Sequence, residues 1–130
     1  MTTLESIQKS ISPELKMLNE RIVGALSTSN KLMNEVVETY LKTKGKQIRP
    51  ILVMLSAKMF GTIDENVISA AAAVEMLHNA SLIHDDVIDE TKERRNNPTI
   101  NCIWDNHIAV LVGDYFVSAA LQQAISTQDP

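Results

Sequence analysis

The chain has 130 residues, 45% of them hydrophobic but only 4% aromatic, and its 16 acidic against 12 basic residues leave a net charge of -4. That length and composition suit one modest core built from Ala, Leu, Ile, Val and Met, which favours helices. The acidic balance excludes general nucleic-acid binding, which needs a basic surface to neutralise phosphates, and a single cysteine, Cys102, excludes an internal disulfide and points to a reducing compartment.

The start, MTTLESIQKS, carries no basic region ahead of an apolar stretch, and no segment reaches the roughly 18 apolar residues of a membrane span, so a cytoplasmic location is expected. Ser12-Pro13-Glu14 reads as a helix start with Ser12 as N-cap. Leu15, Leu18, Ile22, Val23 and Leu26 then predict a first amphipathic helix over 13–27. Asn30 caps a second, carrying Leu32, Met33, Val36, Val37, Tyr40 and Leu41 and ended by Lys44-Gly45. Residues 45–49 form a basic connection. The apolar run from Ile51 to Leu55 belongs to a third helix that starts at about Gln47 and stops at Gly61, and its uniform apolarity predicts deep burial. Asp64 caps a long fourth helix over about 64–90, small and apolar in its first half and acidic in its last two turns. Asn96-Asn97-Pro98 breaks the chain, a short helical turn carries Ile100 to Trp104 with Cys102 expected as a buried thiol, and a last helix spans roughly 106–126. No alternating stretch competes for strand, so the fold class is all-α, an antiparallel array of helices joined by short loops.

The chemistry is concentrated in His84-Asp85-Asp86-Val87-Ile88-Asp89-Glu90. Asp85 and Asp89 share a helix face, where like charges repel and the negative end of the helix dipole adds to the repulsion, so the pair asks for a cation. Magnesium takes one or two carboxylates together with phosphate oxygens, which makes these acids half of a metal–diphosphate site. Glu75, His78, Leu82, Asp85 and Asp89 step by three and four residues along one stripe. Lys46 and Arg49 stand at the head of a helix whose free amides also favour anions, and Arg94 and Arg95 lie just beyond the acids.

GKQIRP, EMLHNASLIHDDVIDETKERRNNPT and AVLVGDYF, in this order and spacing, resemble the trans-polyprenyl diphosphate synthases, in particular the bacterial octaprenyl type, over residues from about 13 onward. The resemblance implies an all-helical isoprenoid synthase fold and an enzyme that joins an allylic diphosphate to isopentenyl diphosphate with magnesium. It assigns Asp85 and Asp89 to the metal and Arg94 to the allylic diphosphate. Lys46, Arg49, His78 and Arg95 fall to isopentenyl diphosphate. It also implies a homodimer, with the last helix as candidate interface. Gln47 stands where the family often has Arg, and Asn96 where it often has Gly; Asn is the next best residue for a left-handed turn. The family's second aspartate-rich motif is not found, so residues 1–130 read as the N-terminal part of a single synthase domain, inactive alone.

Leu77, Ala80 and Ser81, one and two turns before Asp85, carry no aromatic bulk. In the family that absence goes with long products; close helix packing through Ala explains it equally well. Two other functions remain open: a metal phosphohydrolase of the HD type centred on His84-Asp85, and a non-catalytic helical partner subunit.

Overall fold

Apolar residues at three- and four-residue spacing form seven α-helices among the residues that a computed structural model describes, 2–43 and 45–127. Lys44, expected to help end the second helix, lies outside the described residues, as does Pro130. Helix α1 (Thr3–Ser10) is additional to the expected set. Its signal is the capping box Thr2-Thr3-Leu4-Glu5: Thr2 Oγ1 accepts from the Glu5 amide at 3.1 Å and the Glu5 carboxylate accepts from the Thr2 amide at 3.0 Å. Because α1 runs to Ser10, only Ile11 separates it from α2 (Ser12–Leu26), so Ser12 lies inside the helix and the N-cap falls on the buried Ile11, which has no capping side chain.

The other caps are where polar side chains can accept from first-turn amides. Asn30 accepts from Met33 at the head of α3 (Lys31–Leu41) at 3.0 Å. Helix α4 (Ile48–Phe60) follows. Asp64 accepts from Val67 at the head of α5 (Glu65–Ile88), at 2.9 Å. Helix α5 stops two residues short of the expected end, with Asp89 as its C-cap. Two strands of two residues each, β1 (Glu93–Arg94) and β2 (Asn97–Pro98), pair antiparallel where no strand was expected. They are followed by α6 (Ile100–Ile103) and α7 (Asn106–Ser126).

Helix α5 is the centre. Its most extensive contact is with α7, and α4 and α2 cover further faces. Small residues make this possible: Ala71, Ala72 and Ala80 of α5 and Ala109, Gly113 and Ala120 of α7 are all buried, which lets the backbones approach at interior packing density. Phe116 of α7 is fully buried and meets Tyr40 of α3 edge to face, with ring centroids 5.6 Å apart.

Three expectations are corrected by this packing. Helix α4 is not deeply buried: Pro50, Ile51 and Met54 face α5, while Leu52, Met59 and Phe60 point outward, Phe60 with 89% exposure, because only one side of α4 has a neighbour among the described residues. Cys102 is exposed, since it stands about 200° around α6 from the buried Ile100. Helix α7 is long and apolar enough to cross a membrane by length and composition, with mean hydropathy 1.5 over 18 residues. Its apolarity has two sides: Ala109, Val112, Phe116 and Ala119 are buried in the core, whereas Val110, Leu111, Leu121 and Ile125 are exposed.

Candidate functional site

The last turns of α5 divide the acids by a single step around the helix. Asp85 and Asp89 are exposed, and neither carboxylate makes a hydrogen bond or ion pair with the described residues. Asp86 stands about 100° away, in register with Asn79 and Ile83, and is buried with 5% exposure. A buried carboxylate requires a counter-charge. Arg94 of β1 supplies it: Nε donates to Oδ1 and Oδ2 at 3.2 and 3.1 Å, and Nη2 to Oδ1 at 2.6 Å. These hydrogen bonds push the Arg94 pKa up against the opposing effect of burial, and the charges of Asp86 and Asp85 add to the rise. The Asp86 carbonyl also accepts from the Thr91 amide at 2.9 Å, so the chain leaving α5 is tied to the helix end.

The basic residues gather at the start of α4. Gln47 occupies the N-cap in the left-handed region, φ 58°, without capping the helix; its amide donates to Asn19 of α2 at 2.7 Å instead. The amides of Ile48 and Arg49 are therefore left without a side-chain cap, which suits an anion. A cleft of about 560 Å³ opens here, lined by Lys46, Arg49, Glu75, His78 and Arg95 together with residues 45, 47 and 48.

In this cleft Arg49 Nη1 lies 3.1 Å from His78 Nε2. Burial lowers the His78 pKa, Arg49 lowers it further, and Glu75 opposes the shift. Neutral imidazole is thus the favoured form, with Nε2 accepting and the proton on Nδ1. In a proton NMR titration His78 is expected to have its midpoint below 6.5, and Arg49→Ala to move it upward. A midpoint unmoved by the substitution would break the pairing. Since the folded value is the lower one, protonation favours unfolding, and His78 costs stability as pH falls below 6.5.

Arg95 reaches the cleft from an unusual backbone. The β1–β2 pairing closes around Arg95 and Asn96, both left-handed with φ 53° and 64°, as a two-residue hairpin demands. Arg95 Nη1 donates to the Thr43 carbonyl at 2.9 Å, and its guanidinium lies over Gly45, where an added Cβ would stand 2.7 Å from Nη2. Arg is a poor choice for the left-handed region. Arg95→Asn is therefore expected to keep stability or raise it by up to about 1 kcal/mol, while weakening binding of inorganic diphosphate. Urea unfolding and calorimetry on the same variant check both halves.

Beneath the cleft lies a buried polar relay that the sequence did not reveal as a unit. Tyr40 donates to Asn79 Oδ1 at 2.9 Å, and Asn79 Nδ2 donates to Glu75 Oε1 at 3.2 Å. Burial pushes the Tyr40 hydroxyl up to about 12, so it remains a donor.

Two exposed carboxylates one turn apart fit a hard divalent cation that keeps water and accepts phosphate oxygens. No group of three or more His, Cys, Asp or Glu that could hold a metal ion gathers among the described residues.

The arrangement has known counterparts. The model of the polyprenyl synthetase family matches residues 30–130. The chain belongs to the polyprenyl synthetase family. It is 35% identical over 122 residues to octaprenyl diphosphate synthase of Haemophilus influenzae, covering 94% of this chain and 37% of that protein. The crystal structure of a decaprenyl diphosphate synthase from Rhodobacter capsulatus superposes with a TM-score of 0.92 at 32% identity, over 97% of this chain and 39% of that one. A polyprenyl synthase from Caulobacter crescentus, crystallised with calcium and isoprenyl diphosphate, also gives 0.92, at 26% identity over 98% of this chain and 39% of that one. The chain thus spans less than two-fifths of the length of these relatives.

Membership confirms the all-α isoprenoid synthase fold and the recognition made on GKQIRP and the aspartate-rich run. Within this member of the family, Lys46, Arg49, His78 and Arg95 come together in one cleft. Arg94, grouped by sequence with Arg95, turns the other way, to Asp86. Asp86 is the residue that sequence reasoning passed over. Its place seven residues after Asn79 and three after Ile83 was the available signal. The HD-type reading fails because His84 is turned to α7: Nε2 lies 3.2 Å from the Val110 carbonyl and 3.3 Å from Asp114, and the ring packs on Gly113. Of the three chain-length candidates, Leu77 and Ser81 are exposed while Ala80 is buried in the core.

Proposed function

We propose that this chain is the N-terminal part, residues 1–130, of a single polyprenyl diphosphate synthase domain that extends an allylic diphosphate with isopentenyl diphosphate to a long product of octaprenyl type. The observation that supports it best is the pairing of two separate places for a diphosphate: unpartnered Asp85 and Asp89 at the end of α5, which would hold one through a metal ion, and the cationic cleft of Lys46, Arg49, His78 and Arg95 at the start of α4. Two diphosphate substrates need two such places.

Asp85 and Asp89 would hold magnesium, which when bound neutralises the departing diphosphate. Arg94 adds a guanidinium near the same charge. The C–O bond of the allylic substrate breaks with its electron pair leaving on diphosphate, and charge stabilisation there lowers the barrier. The double bond of isopentenyl diphosphate, held through its own diphosphate by Lys46, Arg49, Arg95 and His78, attacks the allylic carbon, and loss of a proton restores the alkene. The octaprenyl assignment follows the Haemophilus relative and the absence of aromatic bulk at Leu77, Ala80 and Ser81. A homodimer through α7 accounts for the exposed Val110, Leu111, Leu121 and Ile125.

The test is calorimetric titration of the folded chain with farnesyl diphosphate, with and without magnesium. Magnesium-dependent binding without turnover is the expected result. A folded chain that does not bind it under either condition would instead favour a non-catalytic partner role.

A further inference from the structure

The aspartate-rich run contains three aspartates, and only two of them face outward. We propose that Asp86 is a positioning residue: it orients Arg94 for the diphosphate held at Asp85 and Asp89. The run is thereby divided between metal binding on one side and arginine placement on the other. This inference rests on the prenyl-transfer reading above.

Three observations carry it. First, Asp86 cannot share the outer face, because it is 5% exposed and in register with the buried Asn79 and Ile83. Second, its contact with Arg94 is a fork: Nε and Nη2 are both engaged, whereas Nη1 makes no hydrogen bond with the described residues, and the Arg94 side chain is 34% exposed. A fork of this kind fixes the plane of the guanidinium as well as its position, and leaves one edge for a second anion. Third, the backbone at both ends is restrained. The Asp86 carbonyl accepts from the Thr91 amide at 2.9 Å and Asn101 Nδ2 at 3.4 Å, and Thr99 Oγ1 donates to the Thr91 carbonyl at 2.8 Å. The register Arg94↔Asn97 places β1 in a closed hairpin. Arg94 is thus held where the charge of Asp85 still acts on it. An ion pair that served the fold alone would have no need of a guanidinium that keeps one edge free and stays one-third exposed.

The experiment is a double-mutant cycle on the full chain, with Asp86→Asn, Arg94→Gln and the double variant. Farnesyl diphosphate affinity in magnesium is read by calorimetry, and the Arg94 Nε–H resonance by NMR. Each single variant is expected to lose about tenfold in affinity, as supporting residues of metal sites commonly do, and the double variant no more than Arg94→Gln alone. The wild-type Nε–H is expected to exchange slowly, and Asp86→Asn to abolish that protection. Unchanged affinity in Asp86→Asn, or losses that multiply in the double variant, would overturn the proposal; multiplying losses would mean that Asp86 acts on metal or ligand directly. Arg94→Lys provides a check if Asp86→Asn does not fold, since it keeps the charge and loses the fork. Full affinity there would also overturn the proposal. A wild-type chain with a protected Nε–H but no binding would remove the prenyl-transfer reading and this role with it; an unprotected Nε–H beside normal binding would remove this role alone.

Discussion

Asp85→Ala combined with Asp89→Ala is expected to lower magnesium-dependent affinity for farnesyl diphosphate by roughly a hundredfold or more, because it removes both outward carboxylates from the end of α5. The same variant is expected to be slightly more stable than the parent. In the metal-free chain the two acids repel one another across one turn, worth about 0.2–0.5 kcal/mol, and face the negative end of the helix dipole, worth about 0.3–1 kcal/mol at an exposed site. Binding and stability should therefore move in opposite directions, which separates loss of a ligand from loss of the fold. Titration calorimetry and urea unfolding on one preparation measure both. A double variant that still binds with magnesium would place the metal elsewhere, and one that unfolds early would give these carboxylates a structural role that their exposure does not predict.

The largest expected effect on stability comes from Phe116→Ala. Phe116 is fully buried where α7 meets α3, and its ring supports Tyr40, whose hydroxyl anchors Asn79 and through it Glu75. Emptying that position is expected to cost about 3–5 kcal/mol, the edge-to-face pair contributing about 0.5–1.5 kcal/mol of this. That is a large share of a typical domain's stability of about 5–15 kcal/mol. Urea unfolding reads the loss directly. Phe116→Leu keeps most of the volume and is expected to cost less than half as much. A loss below about 1 kcal/mol for the alanine variant would mean that α7 closes over the gap, so that the α5–α7 packing tolerates more than its small residues imply. Because the Tyr40 relay ends on Glu75 in the cationic cleft, a folded Phe116→Leu chain is also expected to show a changed His78 midpoint, whereas Asp85→Ala, remote from that relay, leaves it in place.

The residue pattern by itself determined six of the seven helices among the described residues, the caps at Asn30 and Asp64 and the two charged clusters, though not α1 or the true start of α2. Asn30 and Asp64 are legible as caps because a short side chain that accepts from an amide three residues ahead is a local interaction, complete within one turn. The left-handed turn at Asn96 is local in the same way, and so is the face shared by Asp85 and Asp89. The capping box at Thr2 was equally local and could have been read. What only the tertiary structure decided is which side of each helix meets a neighbour. The turning of His84 onto Gly113, away from Asp85, depends on α7 lying against α5. The outward face of α4 and the exposure of Cys102 follow from where the other helices stand, which periodicity cannot specify for a helix apolar all round or for a single turn. Asp86 shows the difference most directly. Its register with Asn79 and Ile83 was in the sequence, but its partner was not. A buried charge draws in whichever cation the fold can deliver, and the hairpin after α5 delivers Arg94.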